Sequence, residues 1–104
     1  MLNQTIIVGR LVKNPEIKEL ESGKKVSIIT LAVPRSFKNI NGEYESDYID
    51  CILWDSIASN TTEYCRKGDL VGVKGRLQKG SEDNELKFIA EKVIFLQSKK
   101  GEDE

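Results

Sequence analysis

The residues best placed to do chemistry lie in one stretch, Asp47–Asp55, D-Y-I-D-C-I-L-W-D. It is rich in β-branched and aromatic residues and bounded by acids, so it reads as a strand. Side chains alternate along a strand. Ile49, Cys51 and Leu53 then form an apolar face suited to a core. Tyr48, Asp50, Ile52 and Trp54 share the other face, and Asp50 keeps that face from full burial. Tyr48 and Trp54 stand six positions apart, roughly 20 Å at strand rise. Two flat rings on an open sheet face can stack the bases of a single-stranded nucleic acid. The alternative is that Tyr48 and Trp54 cap a second apolar layer.

Other chemistries find little support. The chain has no histidine, and its two cysteines, Cys51 and Cys65, form no C-x-x-C. A zinc site would lack ligands, so no metal and no cofactor are expected. Cys51, on the apolar face, reads as a small buried hydrophobe. No nucleophile elbow or phosphate loop is present, so the chain does not read as an enzyme. No apolar run is long enough to span a membrane, and Met1–Arg10 lacks the character of a signal peptide. A cytoplasmic, nucleoid-associated protein is expected.

The 104 residues carry 16 basic and 17 acidic side chains, a net charge of −1. Removing the three acids of Gly101–Glu104 leaves Met1–Lys100 at 16 against 14. Any case for nucleic acid must therefore rest on where the charges lie rather than on their sum.

The elements that must position these residues follow in order. Leu2–Val12 reads as a first strand with Gly9 at a bend. Asn14-Pro15 is a turn, and Glu16–Leu20 a short extended piece. Lys25–Val33 is a second strand, apolar on both faces, and Pro34 is expected to end its pairing. A loop of roughly ten residues or more, carrying Arg35, Phe37 and Lys38, then leads into Asp47–Asp55; loops of that length are commonly functional. Ser56–Arg66 is the helix candidate, capped by Ser56 and stopped near Gly68. Leu70–Lys79 is the fourth strand, with Lys74 and Arg76 opposite Val71, Val73, Gly75 and Leu77. Gly80–Glu85 is an acidic turn, Leu86–Leu96 the fifth strand, and residues 98–104 a polar, disordered tail after a domain over residues 1–97. Five strands with one helix between the third and fourth predict an all-β OB-fold, a Greek-key barrel.

The outward faces collect the candidate binding residues. Phe37, Tyr48 and Trp54 supply rings, and Arg10, Lys74 and Arg76 supply cations for phosphates, with Arg35 and Lys38 on the adjacent loop. Lys13, Lys18, Lys99 and Lys100 read as solvated surface charges. Gln4, Ile6 and Val8 leave the first strand too apolar for a free edge, so Asn3–Arg10 is expected to pair with its copy.

The sequence also resembles the bacterial-type single-stranded DNA-binding protein family. The resemblance rests on I-I-V-G-R-L at Ile6–Leu11, N-P-E at Asn14–Glu16, T-L-A-V at Thr30–Val33 and R-S-F at Arg35–Phe37. It continues through G-E at Gly42–Glu43, D-Y at Asp47–Tyr48, L-W at Leu53–Trp54, E-Y-C-R-K-G at Glu63–Gly68 and V-K-G-R-L at Val73–Leu77. No single motif is specific; their order and spacing are. The resemblance implies non-catalytic binding of single-stranded DNA in replication, recombination or repair. It further implies a homotetramer built through first strands, stacking at Phe37, Tyr48 and Trp54, and DNA contacts at Arg35 and Lys67. Two departures stand out. The turn Gly80–Glu85 is short and acidic where the family has a basic, aromatic hairpin. The acidic tip that recruits replication and repair enzymes is also missing, so such recruitment is not expected. An OB-fold replisome assembly subunit with weak DNA binding, and an RNA-binding OB protein, remain the competing readings.

Overall fold

The computed structural model describes residues 1–99. It contains β1 (Thr5–Leu11), β2 (Lys18–Glu19), β3 (Lys25–Lys38), β4 (Tyr44–Trp54), α1 (Asp55–Tyr64), β5 (Leu70–Lys79) and β6 (Leu86–Gln97). The strands lie in the order β1-β5-β6-β4-β3-β2, and β1 pairs with β3 to close a barrel. Five strands form that barrel, β2 being a two-residue addition to the edge of β3. The helix lies between β4 and β5, as the order of sequence signals predicts for an OB-fold.

Alternation fills the barrel. Leu11, Ile29, Leu31, Cys51, Leu53, Val71, Val73, Phe88 and Ala90 are buried, one set from each long strand. Ala58, Thr61 and Cys65 add the buried side of α1 and its end. Close approach sets two glycines. A Cβ on Gly9 would sit 2.7 Å from the Ala32 carbonyl oxygen, where β1 bends from β5 onto β3. A Cβ on Gly75 would collide with the Ile89 carbonyl, beside a register shift between β5 and β6.

Several boundaries differ from the sequence reading. The first strand is shorter than Leu2–Val12, and the Asn3 side chain continues its ladder instead. Asn3 Nδ2 donates to the Leu77 carbonyl and Asn3 Oδ1 accepts from the Leu77 N–H, at 2.6 and 2.9 Å. Pro34 does not end pairing: it stands opposite Ser46, and β3 runs on to Lys38. Proline is tolerated there because a bulge follows at once. The expected long loop is therefore a strand arm with a short tip, residues 39–43. Asn39 builds the tip, its Oδ1 accepting the N–H groups of Asn41 and Glu43, both at 2.9 Å.

The helix runs Asp55–Tyr64 rather than Ser56–Arg66, and its N-cap is Trp54, with no side-chain cap. Asp55 is held by the Lys25 N–H, which donates to its Oδ1 at 3.1 Å. The helix stops at Cys65; Arg66 Nη1 donates to the Thr62 and Cys65 carbonyls, using its cation at the negative helix end. Gly68 does take a left-handed conformation, φ 91°, but in the turn into β5 rather than at the helix end. Past β6, the Lys99 N–H donates to Asp69 Oδ1 at 3.3 Å. The rest of the expected tail, residues 100–104, lies outside the described residues.

Candidate nucleic-acid interface

The candidate residues gather mainly on the outer face of β3 and β4. Their register places Trp54 opposite Val26, Ile52 opposite Ile28, Asp50 opposite Thr30 and Tyr48 opposite Ala32. Ile49, Cys51 and Leu53 point into the core, so the even positions of β4 point out. Tyr48 is 69% exposed, Phe37 66% and Trp54 37%, which rules out burial in a second apolar layer. Lys24 Nζ stands 5.9 Å from the Trp54 ring centroid, a cation over one edge of the platform. Asp50 accepts from Thr30 Oγ1 at 2.6 Å, a cross-strand tie that directs this carboxylate along the sheet.

Sequence reasoning missed two parts of this face. Tyr44 is also exposed, with Lys38 Nζ 5.8 Å from its ring centroid. Its even number would have placed it in line with Tyr48 and Trp54, but the strand was expected to begin only at Asp47. The second omission is a groove of about 460 Å3 beside Tyr48, with Ile28, Ile52, Leu77 and Leu86 among its walls. Glu85 and Lys87 contribute charge at its rim. The signal was the second strand, apolar on both faces, whose outward Ile28 is half exposed.

The cations divide into groups. Arg35 and Lys38 lie on the β3 arm with Phe37. Arg10 is opposite Ala32 across the barrel seam, so it adjoins Tyr48 through that residue; its Nη1 donates to the Gly68 carbonyl at 2.9 Å. Lys67 sits in the turn after the helix, its backbone N–H donating to Asn14 Oδ1 at 2.7 Å, and its side chain exposed. Lys74 and Arg76 belong elsewhere. Lys74 lies between Ile6 of β1 and Lys92 of β6, and Arg76 pairs with Glu91 at 3.3 Å. The structure thus places Tyr48, Trp54, Lys38 and Arg10 on one face, with Phe37 on the adjoining arm; Arg35 turns to the opposite face with Glu45 and Asp47, and Lys74 and Arg76 stay on the β5–β6 sheet.

Each nitrogen of the Arg35 guanidinium has a carboxylate partner. Its Nε and Nη2 donate to the two oxygens of Asp47 at 3.1 and 2.9 Å, and its Nη1 to Glu45 at 3.0 Å. These hydrogen bonds hold the Asp47 carboxyl below the usual range and raise the guanidinium above its own. On the acidic turn, the Glu85 N–H and then Lys87 lower Asp83. Burial pushes the Cys51 thiol up to about 12 and raises Cys65, so neither presents a thiolate at neutral pH. Among the described residues, no group of three or more cysteine or carboxylate side chains could hold a metal ion.

The profile of the "Single-strand binding protein family" matches residues 2–96. The chain belongs to this family. Among its relatives is single-stranded DNA-binding protein B of Bacillus subtilis (strain 168), 46% identical over 109 residues, covering 98% of this chain and 96% of that one. Single-stranded DNA-binding protein 1 of Staphylococcus aureus (strain Mu50) is 42% identical, covering 99% of this chain and 70% of that one. The wild-type single-stranded DNA binding protein of Thermus aquaticus superposes with a TM-score of 0.79 at 24% identity, over 95% of this chain and 52% of that chain. That likeness establishes the OB-fold. No described helix is long and apolar enough to cross a membrane.

Proposed function

We propose that this family member binds single-stranded DNA without strong sequence preference and protects it during replication, recombination or repair. The observation that carries the proposal is the alignment of exposed Tyr48 and Trp54 on one strand, with Phe37 on the adjoining arm. Bases stack on these rings, while Lys38, Arg10 and Lys67 neutralise phosphates along the path. Ile28, Ile52 and Leu86 give the groove beside Tyr48 an apolar wall against which a base or sugar can rest. A role at the nucleoid fits this activity.

The same reading includes self-association. One edge of β1 is taken by β5 over Thr5–Arg10, while the other meets β3 only at Arg10 and Leu11. The free edge carries exposed Ile6 and Val8, and Ile94 and Leu96 of β6 continue the apolar surface. We place the homotetramer interface there, with Gln4, Ile6 and Val8 at its first-strand contact; Asn3 acts within the chain, on Leu77.

Filter binding with oligo-dT, oligo-U and duplex DNA tests the function. Strong retention of oligo-dT with weak retention of duplex supports it. Weak retention of every oligonucleotide favours the interaction-subunit reading, to which the acidic turn carrying Glu82, Asp83 and Glu85 lends support. Preferential retention of oligo-U favours RNA.

A further inference from the structure

The β3–β4 ladder is broken beside its most exposed ring. Pairing is regular up to Pro34 opposite Ser46 and resumes only at Lys38 opposite Tyr44. Between them, Arg35, Ser36 and Phe37 face Glu45 alone. Such a bulge loses ladder hydrogen bonds and would leave the arm loosely held. Side chains bridge this gap. Arg35 grips both oxygens of Asp47 below the bulge and Glu45 opposite it. Glu45 Oε2 in turn accepts from Asn39 Nδ2 at 3.5 Å, and Asn39 organises the tip. The chain Asp47–Arg35–Glu45–Asn39 therefore spans the stretch where backbone pairing fails.

We propose that Arg35, Glu45 and Asp47 form a clamp that positions Phe37 for base stacking, with Arg35 acting on the arm rather than on a phosphate. The inference rests on the proposed binding of single-stranded DNA. Two arguments favour it. A guanidinium already shared by two carboxylates is charge-compensated and offers a phosphate little. A bidentate fork also fixes geometry in a way a flexible ammonium does not. Isolated exposed ion pairs contribute little to stability, so the effect of the clamp belongs to the orientation of the arm, not to the barrel.

The test compares Arg35→Ala, Arg35→Lys, Asp47→Asn, Phe37→Ala and the Arg35→Lys/Phe37→Ala double variant in the full chain. Oligo-dT affinity is measured across a salt series, with thermal midpoints as a folding control. Arg35→Lys, Arg35→Ala and Asp47→Asn should each weaken binding up to the loss caused by Phe37→Ala, about 5- to 150-fold for one stacked base. Their salt slopes should match that of the unmodified protein, and the double variant should bind no more weakly than Phe37→Ala. Retained affinity in Arg35→Lys with a shallower slope in Arg35→Ala would make Arg35 a phosphate contact and overturn the clamp. So would tighter binding by Asp47→Asn, or additive losses in the double variant. A reading without DNA stands beside these. NMR order parameters over residues 35–45 should fall in Arg35→Lys and Asp47→Asn, and unchanged values would also overturn the clamp. If the unmodified protein fails to bind oligo-dT, the proposed function fails, while the order parameters still judge the clamp.

Discussion

Trp54 shows how one residue serves two roles through its position. It ends β4, caps α1 through its extended backbone, and leaves its ring partly open beside Lys24. Its core-facing neighbour Leu53 is fully buried. The two should therefore respond differently to truncation. Trp54→Ala is expected to weaken DNA binding by about 5- to 150-fold, the value of one stacked base, with a minor loss of stability. Leu53→Ala should cost about 2–5 kcal/mol of stability in chemical denaturation. Equal destabilisation by both would place Trp54 in the core. Asp47 gives a pH signature at the same scale. Its folded-state pKa lies below its unfolded value, so its contribution to folding is complete above about pH 4 and is lost as pH falls through the depressed value. A carboxyl NMR titration should find it low, and Arg35→Ala should return it to the ordinary range. The sequence shows Glu45 and Asp47 only as charges; their pairing with Arg35 depends on a hairpin register that spacing alone does not set.

The strands that sequence alternation describes best are those with one wet face. Leu70–Lys79 matches its expected boundaries: buried Val71, Val73 and Gly75 stand against outward Lys74 and Arg76, although Gly72 is buried too and Leu77 is exposed. The β3 arm was hidden by Pro34, since a missing N–H argues against pairing, yet the strand passes the proline through a bulge. The helix start was hidden because a strand residue, Trp54, occupies the capping position in place of a hydrogen-bonding side chain. Barrel closure turns on Gly9, where β1 leaves β5 and meets β3. Gly9→Ala would press a Cβ against the Ala32 carbonyl and the Val33 side chain. It should cost about 1–3 kcal/mol, the usual penalty for overpacking, read as a lower thermal midpoint. An unchanged midpoint would show that β1 can shift without loss.

At the scale of the whole molecule, two faces differ in character. The β3–β4 side presents rings and cations; the β1–β5–β6 side presents Ile6, Val8, Ile94 and Leu96 around Gly72. Exposed apolar residues at an open strand edge favour association. Light scattering at micromolar concentration should therefore give a tetramer mass, and Val8→Asp should shift it towards smaller species. A monomer mass for the unmodified protein would remove the assembly from the account. The first face was legible in sequence through Tyr48 and Trp54. The sorting of Lys74 and Arg76 away from it was not, because alternation tells inside from outside but not which side of a barrel an outward residue occupies.

The central claim, that bases stack on the β4 face, is tested most directly through Trp54, the one tryptophan of the chain. Oligo-dT is titrated into the protein at several salt concentrations while emission is recorded. The account predicts saturable quenching, with affinity falling as salt rises at a log–log slope near −0.7 per phosphate neutralised. Emission unchanged at saturating oligo-dT, together with unfolding of Trp54→Ala, would contradict it.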